Sequence, residues 1–146
     1  MIYTKFTKRA LEVAMQAHKD QTDPAGFPYI LHPILVAEKQ TEEMAAVAAL
    51  LHDVVEDSDF DVRDLYEFGF PEKVVEAVKA LTHKKGEPYD QYIERVKRNQ
   101  IATAVKLADL EQNMDQARLV MCAEERRARL EKKQEVYRRA MERLLE

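Results

Sequence analysis

Apolar residues recur at helical spacing along most of the chain. Leu11, Ala14, Met15 and Ala17 mark one face of a first helix, which Asp23-Pro24-Ala25-Gly26-Phe27-Pro28 ends with two prolines and a glycine. Pro33 can open a short helix carrying Ile34 to Ala37, and Thr41 with Glu43 and Met44 begins an alanine-rich helix from Glu42 to about Val55. That helix is apolar nearly all round, which predicts a central position. Asp61 can cap a helix through Phe68 that Gly69 closes, and Pro71 opens another through Leu81, with Val74, Val75 and Val78 on one face. Gly86-Glu87-Pro88 interrupts the rhythm before Tyr89, Tyr92, Ile93 and Val96, and Asn99 offers a cap before the apolar segment Ile101 to Leu110. From Ala123 to Glu146 neither glycine nor proline occurs, while Leu130, Tyr137, Met141 and Leu144 form the stripe of a long amphipathic helix. The mixed charges from Glu124 to Lys133 read as its solvated face. Only Ala102 to Leu107 could pass for a buried strand. The pattern predicts an all-α class, a compact multi-helix bundle forming a single domain over residues 1–146 with a long C-terminal helix.

Composition narrows the partners. With 146 residues, 46% hydrophobic and 34% charged, the chain can bury roughly two-thirds of its unfolded surface in one core. Basic residues number 23 against 27 acidic, a net charge of −4, so no chain-wide positive field exists to hold a nucleic-acid polymer. A small anionic substrate received by a metal or a local basic patch is compatible with that balance. No apolar run approaches the roughly 20 residues that cross a bilayer. The lone cysteine, Cys122, has no partner for an internal disulfide, and Met-Ile-Tyr-Thr-Lys lacks the charged-then-apolar pattern of a signal peptide. The expectation is a cytoplasmic location without a membrane partner.

Candidate chemistry gathers at His32, His52, Asp53 and Asp109. His52-Asp53 follows Ala-Val-Ala-Ala-Leu-Leu, and Asp109 follows Val-Lys-Leu-Ala. Ionisable groups in such surroundings need partners. Neighbours on one helix point about 100° apart, so His52 and Asp53 can share an ion only if it lies near the axis and other segments supply more ligands. His32 and Asp109 are natural suppliers, and a set of two imidazoles and two carboxylates suits Mn²⁺, Fe²⁺ or Zn²⁺ better than Ca²⁺ or Mg²⁺. Glu56 lies one turn after His52 and Asp53 and can face the same cavity. With Asp57 it suggests acid/base work beside a metal, against the plainer reading of a helix end before the turn Ser58-Asp59.

His18-Lys-Asp-Gln21, Gly26-Phe-Pro28-Tyr29-Ile-Leu-His32-Pro33, Leu50-Leu-His52-Asp53-Val-Val-Glu56-Asp57 and Val105-Lys106-Leu-Ala-Asp109-Leu-Glu-Gln-Asn113-Met114, in that order, resemble the HD-domain metal-dependent phosphohydrolases. More narrowly, they are similar to the hydrolase domain of the RelA/SpoT family, which removes pyrophosphate from the 3′ position of the guanosine alarmone (p)ppGpp. The resemblance implies Mn²⁺ ligation by His32, His52, Asp53 and Asp109, handling of the attacking water by Glu56 and Asp57, and substrate contacts by Tyr29, Lys106 and Asn113. Gly26, Pro28 and Tyr29 would shape the approach to the site.

The chain departs from that family pattern on the substrate side. Asp23-Pro24 stands where members usually carry Arg-Lys, and Leu110 and Gln112 stand where they carry an Arg and a His. Losing cationic donors weakens recognition of a multiply charged phosphate. Two alternatives therefore stand beside (p)ppGpp hydrolysis: a hydrolase of a different phosphorylated metabolite, and a metal-stabilised nucleotide-binding or sensing module without turnover. Five further residues each admit two readings. His18 reads as structural rather than as a ligand. His83 offers either a phosphate contact or charge compensation at a helix C-terminus. Lys106 could pair with a site carboxylate or snorkel from the core edge, and Tyr89 and Tyr92 read as core before nucleotide stackers.

Overall fold

A computed structural model describes residues 1–115 and 122–146, and these form nine α-helices: α1 (Lys5–Ala17), α2 (Leu31–Glu38), α3 (Glu43–Leu51), α4 (Val54–Asp57), α5 (Val62–Glu67), α6 (Glu72–Leu81), α7 (Tyr89–Lys97), α8 (Gln100–Asn113) and α9 (Glu124–Leu145). The all-α expectation holds, and the Ala102–Leu107 stretch is helical within α8. Extended pairing among the described residues amounts to one isolated bridge, Thr22 with Pro28, inside the loop after α1.

Local chemistry sets the helix ends. Thr4 and Thr7 exchange side-chain and backbone hydrogen bonds in a reciprocal cap on α1, and Asp61 with Asp64 does the same on α5. Asn99 Oδ1 accepts from the Ala102 N–H at 2.9 Å and starts α8. Gly69 ends α5 at φ +89, a left-handed angle that a Cβ would oppose. Two boundaries differ from the sequence pattern. Pro33 lies within the first turn of α2, which begins at Leu31; its missing N–H is tolerated there because first-turn donors have no intrahelical partner. The continuous helix expected to about Val55 stops at Leu51 and resumes at Val54.

Burial follows the apolar pattern. Every residue from Ala45 to Leu51 is buried, and α3 packs against α1, α2, α6 and α8. Alanines keep α3 slender enough for four neighbours to reach it, while Leu50 and Leu51 fill the space between them. A fully buried leucine contributes about 1.5–3 kcal/mol. The long helix α9 lies against α7 and α8, yet buries only Ala140 and Leu144 outright. No helix among the described residues is long and apolar enough to cross a membrane.

Candidate active site

The break between α3 and α4 resolves the difficulty that neighbouring helical residues diverge. His52 keeps helical angles, but Asp53 sits at φ −106, ψ 0, which turns its carboxylate back toward the imidazole, and Asp53 Oδ2 lies 3.0 Å from His52 Nε2. His32, from the first turn of α2, brings Nε2 to 2.7 Å from Asp109 Oδ1 and 3.9 Å from Asp53 Oδ2. Asp109 reaches in from α8, with Oδ1 at 3.4 Å from His52 Nε2. Two imidazoles and two carboxylates from three stretches of the chain thus gather, His32, His52 and Asp109 in one buried group and Asp53 at its edge beside Glu56 and Asp57.

The donor set fits a divalent cation. Ligands about 2.1 Å from one ion stand roughly 3.0–3.4 Å apart in octahedral or tetrahedral arrangements, close to the spacings here. Tautomer chemistry points the same way. His52 Nδ1 is 2.6 Å from the Ala49 carbonyl, which can only accept, so the neutral ring keeps its proton there and leaves a lone pair at Nε2. That Nε2 is buried without a hydrogen-bond partner, facing two carboxylates. Lone pairs so opposed require a cation between them. Where no metal is bound a proton takes its place: burial alone would depress His52, but Asp53 and Asp109 outweigh it and raise its pKa well above the usual histidine value.

The surrounding groups complete the electrostatics. Lys106 Nζ lies 2.8 Å from Asp109 Oδ2, which decides between its two sequence readings in favour of a site carboxylate. Burial raises the Asp109 pKa, yet Lys106 and the two imidazoles hold it well below the ordinary range. The Asn113 amide donates to Asp109 Oδ1 at 3.4 Å, and the Tyr29 hydroxyl donates to Asp53 Oδ2. His18 stays behind Tyr29, ring to ring at 4.9 Å. Its Nδ1 is 2.8 Å from Gln21 Oε1, and Gln21 Nε2 donates to the Asp57 carbonyl at 2.7 Å. His18 therefore braces the wall rather than joining the cage.

Glu56 and Asp57 stand at the rim. The exposed Asp57 is raised to about 6, by desolvation from protein on one side and then by the Asp53 and Glu56 carboxylates. Glu56 Oε1 accepts from the His83 N–H at 2.8 Å. His83 turns its ring onto Tyr92, centroids 4.8 Å apart, and its Nε2 is 2.7 Å from the Glu87 carbonyl. Tyr92 is buried with its hydroxyl on the Leu81 carbonyl, as expected for a core residue.

One residue that the sequence pattern did not single out fixes this loop. Arg95 on α7 donates to the carbonyls of Lys79, Ala80 and Thr82 and forms a fork with Glu87, the shortest contact being 2.7 Å. An arginine at an ordinary helical position gives no sequence signal that it will cap a neighbouring helix. The guanidinium, against some desolvation and helped by the Lys84 N–H, holds the Glu87 carboxyl at about 2.

All nine candidate residues, Tyr29, His32, His52, Asp53, Glu56, Asp57, Lys106, Asp109 and Asn113, line one cavity of about 440 Å³. Tyr89 and His83 line it too, and α9 adds Lys133, Val136 and Tyr137. Lys133 keeps the exposure that the solvated-face pattern predicts and also borders the cavity, because helix α9 runs beside its mouth. The departures from the family pattern fall elsewhere. Leu110 and Gln112 are buried and do not line the cavity. Asp23 folds onto its own loop, Oδ1 accepting from the N–H groups of Ala25 and Phe27.

No family model matches the chain. Similar proteins do. Over 78 residues the chain is 37% identical to the guanosine-3′,5′-bis(diphosphate) 3′-pyrophosphohydrolase of Borreliella burgdorferi, covering 51% of this chain and 12% of that protein. Over 82 residues it is 38% identical to the bifunctional (p)ppGpp synthase/hydrolase SpoT of Escherichia coli K12, covering 53% and 12%. A probable GTP pyrophosphokinase of Mycobacterium leprae is 35% identical over 120 residues, 73% of this chain and 15% of that protein. The chain thus spans 12% to 15% of the length of these relatives. Among solved structures, a metazoan SpoT ortholog described as hydrolysing ppGpp superposes with a TM-score of 0.76 at 27% identity, over 99% of this chain and 88% of that one. In sequence and in fold, the chain is a relative of the SpoT-type pyrophosphohydrolases.

Proposed function

We propose that this chain, as one domain over residues 1–146, is a metal-dependent phosphohydrolase that releases pyrophosphate from the 3′ position of (p)ppGpp. The observation that bears most weight is the buried His52 Nε2, a lone pair aimed with two carboxylates and a second imidazole at one point. His32, His52, Asp53 and Asp109 would hold the cation, with Mn²⁺ our assignment and Fe²⁺ or Zn²⁺ compatible with the same donors. Such a cation supplies Lewis acidity that activates water and neutralises phosphate oxygens.

The chain's own residues supply the remainder. Glu56, oriented by the His83 N–H, holds the attacking water, and Asp57, its pKa raised to about 6, accepts its proton and can return it to the leaving side. Lys106 and Asn113 keep Asp109 turned into the cage and present cationic and amide donors to phosphate oxygens. Tyr29 fixes Asp53 in the same way. The half-buried Tyr89 offers a ring edge to a nucleoside. The relatives in sequence and the structural neighbour named for ppGpp hydrolysis support this substrate over other phosphorylated metabolites.

The test is release of pyrophosphate from (p)ppGpp by the purified Mn²⁺-loaded protein. Turnover of a different member of a phosphorylated-metabolite panel would keep the mechanism and replace the substrate. Stoichiometric nucleotide binding with no turnover of any member would overturn the enzyme and favour a sensing module.

A further inference from the structure

A second pocket adjoins the cavity. It measures about 390 Å³ and lies between the loop at Thr22, Asp23 and Pro24 and one face of α9 bearing Arg126, Arg129 and Lys133. Lys133 lines both spaces. Positions 126, 129 and 133 share a helix face and extend roughly 10 Å along the axis, so a row of positive charge leads away from the metal cage. Among the described residues none of these three cations is in an ion pair, whereas Arg127 and Arg138 on other faces of the same helix pair with Glu131, Glu135 and Glu142. Arg126 instead donates to the Pro24 carbonyl at 3.4 Å, which seats the helix against the loop. The pocket's carboxylate, Asp23, spends Oδ1 on two N–H groups of its own turn. The loop therefore offers no cation toward the substrate, while the facing helix offers three.

We propose that this pocket is a second anion subsite, in which Arg126 and Arg129 bind the phosphate group of the substrate that is not cleaved, with Lys133 bridging to the hydrolytic cavity. The proposal rests on the hydrolase reading for the identity of the substrate, but the anion site stands on the pocket itself. Arginine forks match phosphate oxygens in pairs, and Arg126 and Arg129 do not line the cavity that holds Glu56 and Asp57. The substrate class is a nucleoside phosphorylated at two separate positions. The reacting phosphate would sit at the cage, and the other would set orientation and affinity.

Two measurements test this separately from catalysis. Calorimetric titration of inorganic pyrophosphate into chelator-treated protein should show one salt-sensitive site, weakened about tenfold or more in Arg126→Gln/Arg129→Gln and largely retained in Arg126→Lys/Arg129→Lys. Absence of binding by the unaltered protein, or equal binding by the glutamine variant, overturns the subsite. In turnover, the unaltered enzyme should prefer guanosine carrying both 3′- and 5′-diphosphates over guanosine 3′-diphosphate by about tenfold in kcat/KM, and the glutamine variant should lose that preference. Robust but equal use of both substrates sinks the subsite and leaves the hydrolase intact. Arginine-dependent pyrophosphate binding without turnover of either sinks the hydrolase reading and leaves the subsite standing.

Discussion

The cage and the wall that faces it are built in opposite ways. His32, His52, Asp53 and Asp109 project from the helices at the centre of the core and from the break between two of them, where neighbours on all sides fix every backbone. The opposing wall comes from α9, 22 residues long with two of them buried outright. Its contribution to the site is a row of long, cationic side chains. A constellation that must hold a cation to within a fraction of an ångström needs rigid support. A surface that recognises phosphate needs charge more than exact placement, and it can be remade by exposed substitutions at little cost to folding. The departures at Asp23 and Pro24 fit that division: they alter the rim and leave the cage untouched.

The sharpest way to break the comparison is at the cage. His52→Ala or Asp53→Ala should abolish stoichiometric Mn²⁺ uptake and lower turnover by about 10³-fold or more; metal analysis showing full loading of either variant would refute the ligand assignment. Glu56→Ala should keep its metal yet slow hydrolysis by about 10²-fold, and normal turnover would remove its role in handling water. If the cage ties α2, α3 and α8 together as the distances imply, metal at about 100 times its Kd adds about 2.7 kcal/mol of stability. In a calorimetric scan that is a rise of roughly 9 °C in Tm, reversed by a chelator.

Effects on the α9 side should be smaller and of a different kind. Lys133→Ala should raise KM roughly threefold to tenfold through one lost charged contact, with metal content unchanged; a fall in metal content would mean that α9 supports the cage after all. The loop that orients Glu56 gives the mildest and most specific effect. Glu87 has its folded pKa depressed to about 2 from the ordinary 4.5, so its contribution to stability is fully present above pH 4.5 and is lost as pH falls toward 2. Glu87→Gln should therefore flatten the fall in Tm across that acid window. An unchanged acid limb would show that the Arg95 fork contributes nothing.

Much was legible in the chain because it rests on local rules. Periodicity, caps and breakers located the helices, and the apolar run Ala45–Leu51 marked the central one, because an all-apolar helix has no stable place except inside. The four ordered motifs, by resemblance, singled out residues that line one cavity. Other features follow from contacts between segments and leave no local trace. Lys133 looks like any solvated lysine until α9 is laid across the cavity, and Arg95 resembles a surface arginine until α6 ends beside it.

The sequence by itself determined that the chain is helical and which helix is central, since these depend on side-chain chemistry and spacing within a few turns. The tertiary structure alone decided that the helix stops at His52-Asp53, turning two diverging side chains onto one point, and that a charged helix face closes over the result. Both arise from packing among segments far apart in the chain, where the lowest free energy belongs to the assembled core rather than to any stretch considered separately.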